Sequence, residues 1–86
     1  MDFKKHTAFM IDFISDFVNG DLERYFFDLD YSAYVIEHFP YMELEDPRLT
    51  DKFAYTIDRA YEREEFTVEI SNAFDEWLGR KMPDII

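Results

Sequence analysis

Phe9, Met10, Phe13, Ile14, Phe17 and Val18 recur at steps of three and four, while Asp12, Ser15, Asp16 and Asn19 fill the other side. That is the period of an amphipathic helix and not of a strand. Gly20 follows as a C-terminal cap, so the spacing predicts a first helix from about Phe3 to Asn19. The same period returns further on. Leu49, Phe53, Ile57, Ala60 and Tyr61 form a stripe with an explicit start. Asp46 is its cap, and Pro47 stands at the first helical position, where a missing N–H costs nothing. This helix is expected to run to about Arg63. Phe66, Ile70, Ala73, Phe74, Trp77 and Leu78 form a third stripe, which Thr67 can cap and which Gly79 and Pro83 end. Taken alone, "FTVEI" alternates like a strand, but the longer period runs unbroken through Leu78. Asp84 to Ile86 are expected as a short tail.

The stretch from Asp21 to Asp46 is less regular. Asp21 can cap a short helix with Leu22, Phe26 and Leu29 inward. Asp28 or Asp30 can then cap the next segment, with Val35, Ile36 and Phe39 on its core face. Pro40 has no N–H and disfavours a helical Phe39, so this helix is expected to kink or stop there. "YMELE" would continue as a short turn. Four amphipathic segments with short connections predict one all-α domain over residues 1–86. Its architecture is a small four-helix bundle with a short extra helix or kink near Pro40.

A chain of 86 residues buries only about 60–65% of its unfolded surface. It must house ten Phe, six Tyr and one Trp, so some tyrosines are expected at the surface, where Tyr suits contact with a partner or a second copy. With no cysteine, there is no disulfide framework, thiolate metal site or Cys nucleophile. No apolar run approaches the roughly 20 residues of a membrane span. "MDFKKHTAFMIDF" reads as an amphipathic helix and not a signal peptide, which makes cytoplasmic the expected location.

No reaction is spelled out. His6 and His38 lack the Glu three residues earlier that a di-iron helix needs, and no HExxH is present. Gly20 and Gly79 are the only glycines, so there is no phosphate loop. Ser15, Ser32 and Ser71 have no nucleophile-elbow context. Asp28, Asp30 and Ser32 match positions 1, 3 and 5 of a calcium-binding EF-hand loop. Ala33 stands where that loop needs Gly, and Phe39 where it needs a bidentate Glu. The sequence is therefore read as a non-enzyme without metal or cofactor.

What stands out is the placing of the charge. The chain carries a net −11, which disfavours direct contact with nucleic acid or an anionic membrane and favours a basic protein partner. Residues 21–46 hold eight acids and one base, net −7, while residues 1–20 carry −1 and 47–86 carry −3. Charge that served only solubility would more often be interspersed. On a helix from Asp30 to Phe39, Tyr31, Tyr34 and Glu37 or His38 share a side, and Tyr41 could extend the row. Asp28, Asp30, Glu37, Glu43, Glu45 and Asp46 would flank it. Carboxylates can draw in a basic partner and tyrosines can hold it. The candidate partner-binding residues are Asp28, Asp30, Tyr31, Tyr34, Glu37, Tyr41, Glu43 and Glu45. The competing reading has Tyr31 and Tyr34 at the core edge with only their hydroxyls exposed.

"MIDFISDFVNGDLERYFFDLD" and "FAYTIDRAYEREEFTVEISNAFDEWL" together resemble the small acidic helical immunity proteins of bacteria, in particular those that neutralise tRNA-cleaving colicins. These pieces cover about half of the chain and match in helix, turn and acid pattern. The aromatic stretch from Tyr25 to Tyr41 and Pro40 depart from that pattern, so no family site residue is carried over. The resemblance implies a tight 1:1 inhibitor, an antitoxin that occludes a toxin's basic active site or an adjacent exosite. The same features suit a phage-encoded inhibitor of a nucleic-acid-binding defence effector, such as an anti-CRISPR protein or nucleic-acid mimic. They also suit a structural module, such as a homodimer, that self-associates through its aromatic face.

Overall fold

A computed structural model describes residues 3–63 and 67–79. Among these, five helical segments follow in order: α1 (Lys5–Val18), α2 (Arg24–Glu45), α3 (Pro47–Tyr55), α4 (Ile57–Glu62) and α5 (Thr67–Trp77), with no strand. The fold is the expected all-α bundle. No helix in the described residues is long and apolar enough to cross a membrane.

The first helix follows its sequence signals. Met10, Phe13 and Ile14 are buried, and Gly20 takes φ +86° just past the helix end. There the Asp21 and Leu22 N–H groups donate back to the Asp16 carbonyl at 2.8 and 3.0 Å. That closure needs a left-handed residue, which glycine supplies without steric cost. The start of α3 is also as expected: the Asp46 side chain accepts from the Leu49 N–H at 3.1 Å, with Pro47 behind it.

Two expectations are corrected. The short helix from Asp21 and a stop at Pro40 do not occur; α2 is one helix of 22 residues with Pro40 inside it. A proline within a helix leaves the carbonyl four residues back without its N–H partner. Here that residue is Ile36, and both Ile36 and Pro40 lie on the exposed side, where water can take the bond. The second correction concerns the helix expected from Pro47 to about Arg63, which is interrupted at Thr56 (φ −111°, ψ −80°). The Thr56 hydroxyl donates to the Lys52 carbonyl at 2.6 Å. A threonine bonded back to its i−4 carbonyl bends a helix, and the bend turns Ile57 and Ala60 into the core.

The core joins all five segments, with Met10, Ile14, Phe27, Ile57, Ile70 and Trp77 fully out of solvent. Trp77 donates its indole N–H to the Leu49 carbonyl at 2.8 Å, fixing α5 against α3. Phe66, the Thr67 side chain, Pro83 and the tail from Asp84 to Ile86 fall outside what is described.

Candidate interaction surface

α2 carries apolar side chains on two opposite sides. Phe27, Tyr31, His38 and Met42 are buried, with Tyr34, Val35 and Phe39 packed beside them. The other side should be polar and is not. Phe26, Leu29, Ala33, Ile36, Pro40 and Leu44 are all exposed. Their steps of three and four place them within a sector of about 80° at about 100° per residue. Leu29 is 62% exposed, Ile36 76% and Leu44 82%. A contiguous apolar row of this kind on a small domain marks an interaction site more often than isolated exposed residues do.

Acids border the row. By the same helical geometry, Asp30 and Glu37 follow on the side toward α1, and Glu43 lies on the side toward α3 and α4. The whole helix holds five carboxylates and one arginine, Arg24. Three of its acids, Asp30, Glu37 and Glu43, are exposed or half-exposed and stand outside α2's buried face. The arrangement is an apolar centre with a charged rim.

The eight residues expected to bind a partner therefore separate. Asp30, Glu37 and Glu43 do border the exposed row. Tyr41 is half exposed but lies toward α1, with its ring stacked on His6 at 4.4 Å. Tyr31 is corrected from surface to core: it is 2% exposed, and its hydroxyl donates to Asp58 Oδ1 at 2.9 Å. Tyr34 is half-buried, edge-on to both Phe9 and Phe13 at 4.9 Å, so these two tyrosines form no free row. Asp28 accepts a hydrogen bond from the Tyr61 hydroxyl. Tyr31 and Tyr61 stack at 3.9 Å, so α2 and α4 exchange tyrosine–aspartate pairs in both directions. Burial first, and Asp58 next, push the Tyr31 phenol far above its ordinary range. Burial and Asp28 push Tyr61 up to about 12. Both phenols therefore remain donors at neutral pH. Part of the interleaving of acids with rings in this stretch is thus internal bonding.

Glu45 has an internal role too. Its carboxylate accepts from the His6 N–H at 2.9 Å, the Thr7 N–H at 2.8 Å and the Thr7 hydroxyl at 2.7 Å. Partial burial pushes its pKa up, but these hydrogen bonds outweigh burial and hold it below the ordinary 4.5. Beside it His6 and His38 meet through their Nδ1 atoms at 2.8 Å. Only one of the two can carry the proton in that contact, so both cannot be imidazolium there. Burial is the main force holding His38 below the ordinary 6.5; the Glu37 carboxylate opposes it, and His6 adds to it. The unfolded chain therefore protonates His38 before the folded one does. The resulting stability is complete above about pH 6.5 and is lost as pH falls through the folded pKa. Urea midpoints of the wild type and His38→Leu, compared at pH 7.5 and 5.5, should show the wild type losing ground to the variant at the lower pH. A constant difference would mean that His38 is not held neutral.

Phe26, Leu29, Ile36 and Leu44 were not among the sequence-derived site residues. The signal was present in their unbroken spacing, but Phe26, Leu29 and Ile36 were expected in the core and Pro40 was expected to end the pattern. In the described residues no group of three or more His, Asp or Glu could hold a metal ion. No family model matches the chain, and neither a curated protein nor a solved structure matches it. The likeness to immunity proteins thus rests on the sequence pattern alone.

Proposed function

We propose that this chain is an acidic protein-binding inhibitor, an immunity protein or antitoxin that occludes the basic nucleic-acid-binding face of a nuclease toxin. The observation that carries the reading is the outer face of α2, where six exposed apolar positions run between carboxylates. An apolar centre supplies affinity through anchors that exclude water, and a rim of one sign supplies speed and choice of partner. A second copy of the chain fits this face poorly. In either helix direction it would bring acids against acids, and each copy already carries −11. A basic partner removes that conflict.

The test is capture by the tagged chain from the source organism's lysate, washed at low and high salt, followed by an activity assay on what is retained. The expected result is a basic nuclease domain, held less well at high salt, whose cleavage stops at one equivalent of this chain. A partner that is a nucleic-acid-binding defence effector would move the reading to an anti-defence inhibitor. Recovery of the chain alone, indifferent to salt, would sink both and leave self-association.

A further inference from the structure

We propose that the cleft between α2 and the α3–α4 bend is the seat for an arginine on an amphipathic basic helix of the partner. This rests on the reading of the chain as a binder of basic protein and says which side chain it selects. Two open hollows lie side by side here, of about 370 and 290 Å³. They share Val35, Ile36 and Asp58, and Ile36 also belongs to the exposed row. The larger hollow is apolar, walled by Phe39, Pro40 and Ala54. The smaller is walled by Tyr31 and Tyr61 and has Glu62 at its edge. Among the described residues, no basic side chain lines either hollow.

The chemistry of the smaller hollow is specific. Asp58 and Glu62 are four apart on α4 and repel each other, which a cation between them relieves. Tyr31 uses one of the roughly four acceptor positions of the Asp58 carboxylate. Arginine suits the remainder better than lysine does. Its planar fork pairs with carboxylates and lies on aromatic rings, and its aliphatic stem covers apolar wall. The Val35–Ile36 wall provides the apolar surface, and the stacked Tyr31 and Tyr61 rings line the same hollow. The larger hollow would then take an apolar residue three or four positions away on the same partner helix.

The probe is n-butylguanidinium, the arginine side chain without its backbone, titrated into the isotope-labelled full-length chain and followed by amide NMR. Saturable shifts should be confined to Val35, Ile36, Ala54, Asp58, Tyr61 and their neighbours. n-Butylammonium should need at least about 3-fold more ligand for the same shift, as a point charge without the fork. Asp58→Asn keeps an acceptor for Tyr31 and should still fold, yet should weaken the probe at least about 5-fold, since it removes the charge. Ile36→Ser should also weaken it, and Glu43→Gln should not. Shifts spread over all the acids, equal response to both cations, or full binding by Asp58→Asn would overturn the seat. Cleft shifts that grow with protein concentration and without probe would mean that a second copy fills it, and would overturn it too. Loss of the seat with intact salt-sensitive capture leaves the inhibitor reading standing; failed capture with an intact seat removes the inhibitor reading alone.

Discussion

Glu45→Ala is expected to lower the stability of this protein by about 2 kcal/mol, an effect at the upper end for a single helix cap. α1 has no cap of its own: its N-cap residue is Lys4, whose side chain makes no capping bond, and its first turn holds no acid. Two lysines, Lys4 and Lys5, instead sit at the positive end of its dipole, where cations are unfavourable. Glu45, at the far end of α2, supplies what is missing, and it satisfies two backbone N–H groups and the Thr7 hydroxyl together. Removing it orphans three donors, and Thr7 among them is buried. Glu45→Gln keeps an acceptor and loses the charge, so about 1 kcal/mol should be lost. Urea unfolding followed by far-UV circular dichroism checks both. A wild-type midpoint for Glu45→Ala would mean that the α1 start is held by something else. The acid side of the wild-type stability profile should agree in sign. The Glu45 contribution is present above about pH 4.5, its ordinary pKa, and disappears as pH falls through the lower value it takes when folded.

The other large effect concerns binding and should leave the fold alone. Ile36→Asp and Leu29→Asp place a charge in the middle of the exposed row. Neither residue is in the core, so unfolding should shift by less than about 1 kcal/mol, within the range of surface and helix-propensity changes. Affinity for the captured partner should fall by about 2–4 kcal/mol, the range for a central interface anchor. Most of that loss should appear as faster dissociation, because rim charge and not the apolar centre governs encounter. Charge reversal of Glu37 should act the other way, slowing association and flattening the salt dependence while changing dissociation little. Affinity unchanged by Ile36→Asp and Leu29→Asp together would remove the outer face of α2 as the binding surface.

Much of the fold was legible because its signals are local. Gly20 ends α1 by its own backbone freedom, and Asp46 with Pro47 starts α3 through bonds that span three residues. These need no knowledge of the rest of the chain. The helical period likewise fixed the class, since no strand pattern outlasts it. The acidity of residues 21–46 is equally a property of the sequence, and the proposal of a basic partner starts from it.

The tertiary structure decided which side of α2 faces inward. This helix is apolar on two opposite sides, so periodicity identifies a helix without saying which stripe is buried. Only the packing of Phe9, Phe13 and the α3–α4 segments against Phe27, Tyr31 and His38 settles it, and it leaves Phe26, Leu29, Ile36 and Leu44 in water. Pro40 is tolerated for the same reason, because the carbonyl it deprives lies on the wet side. Tertiary structure also divided the acids. Glu45 caps a helix 39 positions away, and Asp28 and Asp58 hold tyrosines across the α2–α4 contact. Asp30, Glu37 and Glu43 remain at the rim. A carboxylate's role depends on which donors arrive beside it in space, and in this chain the donors come from other helices.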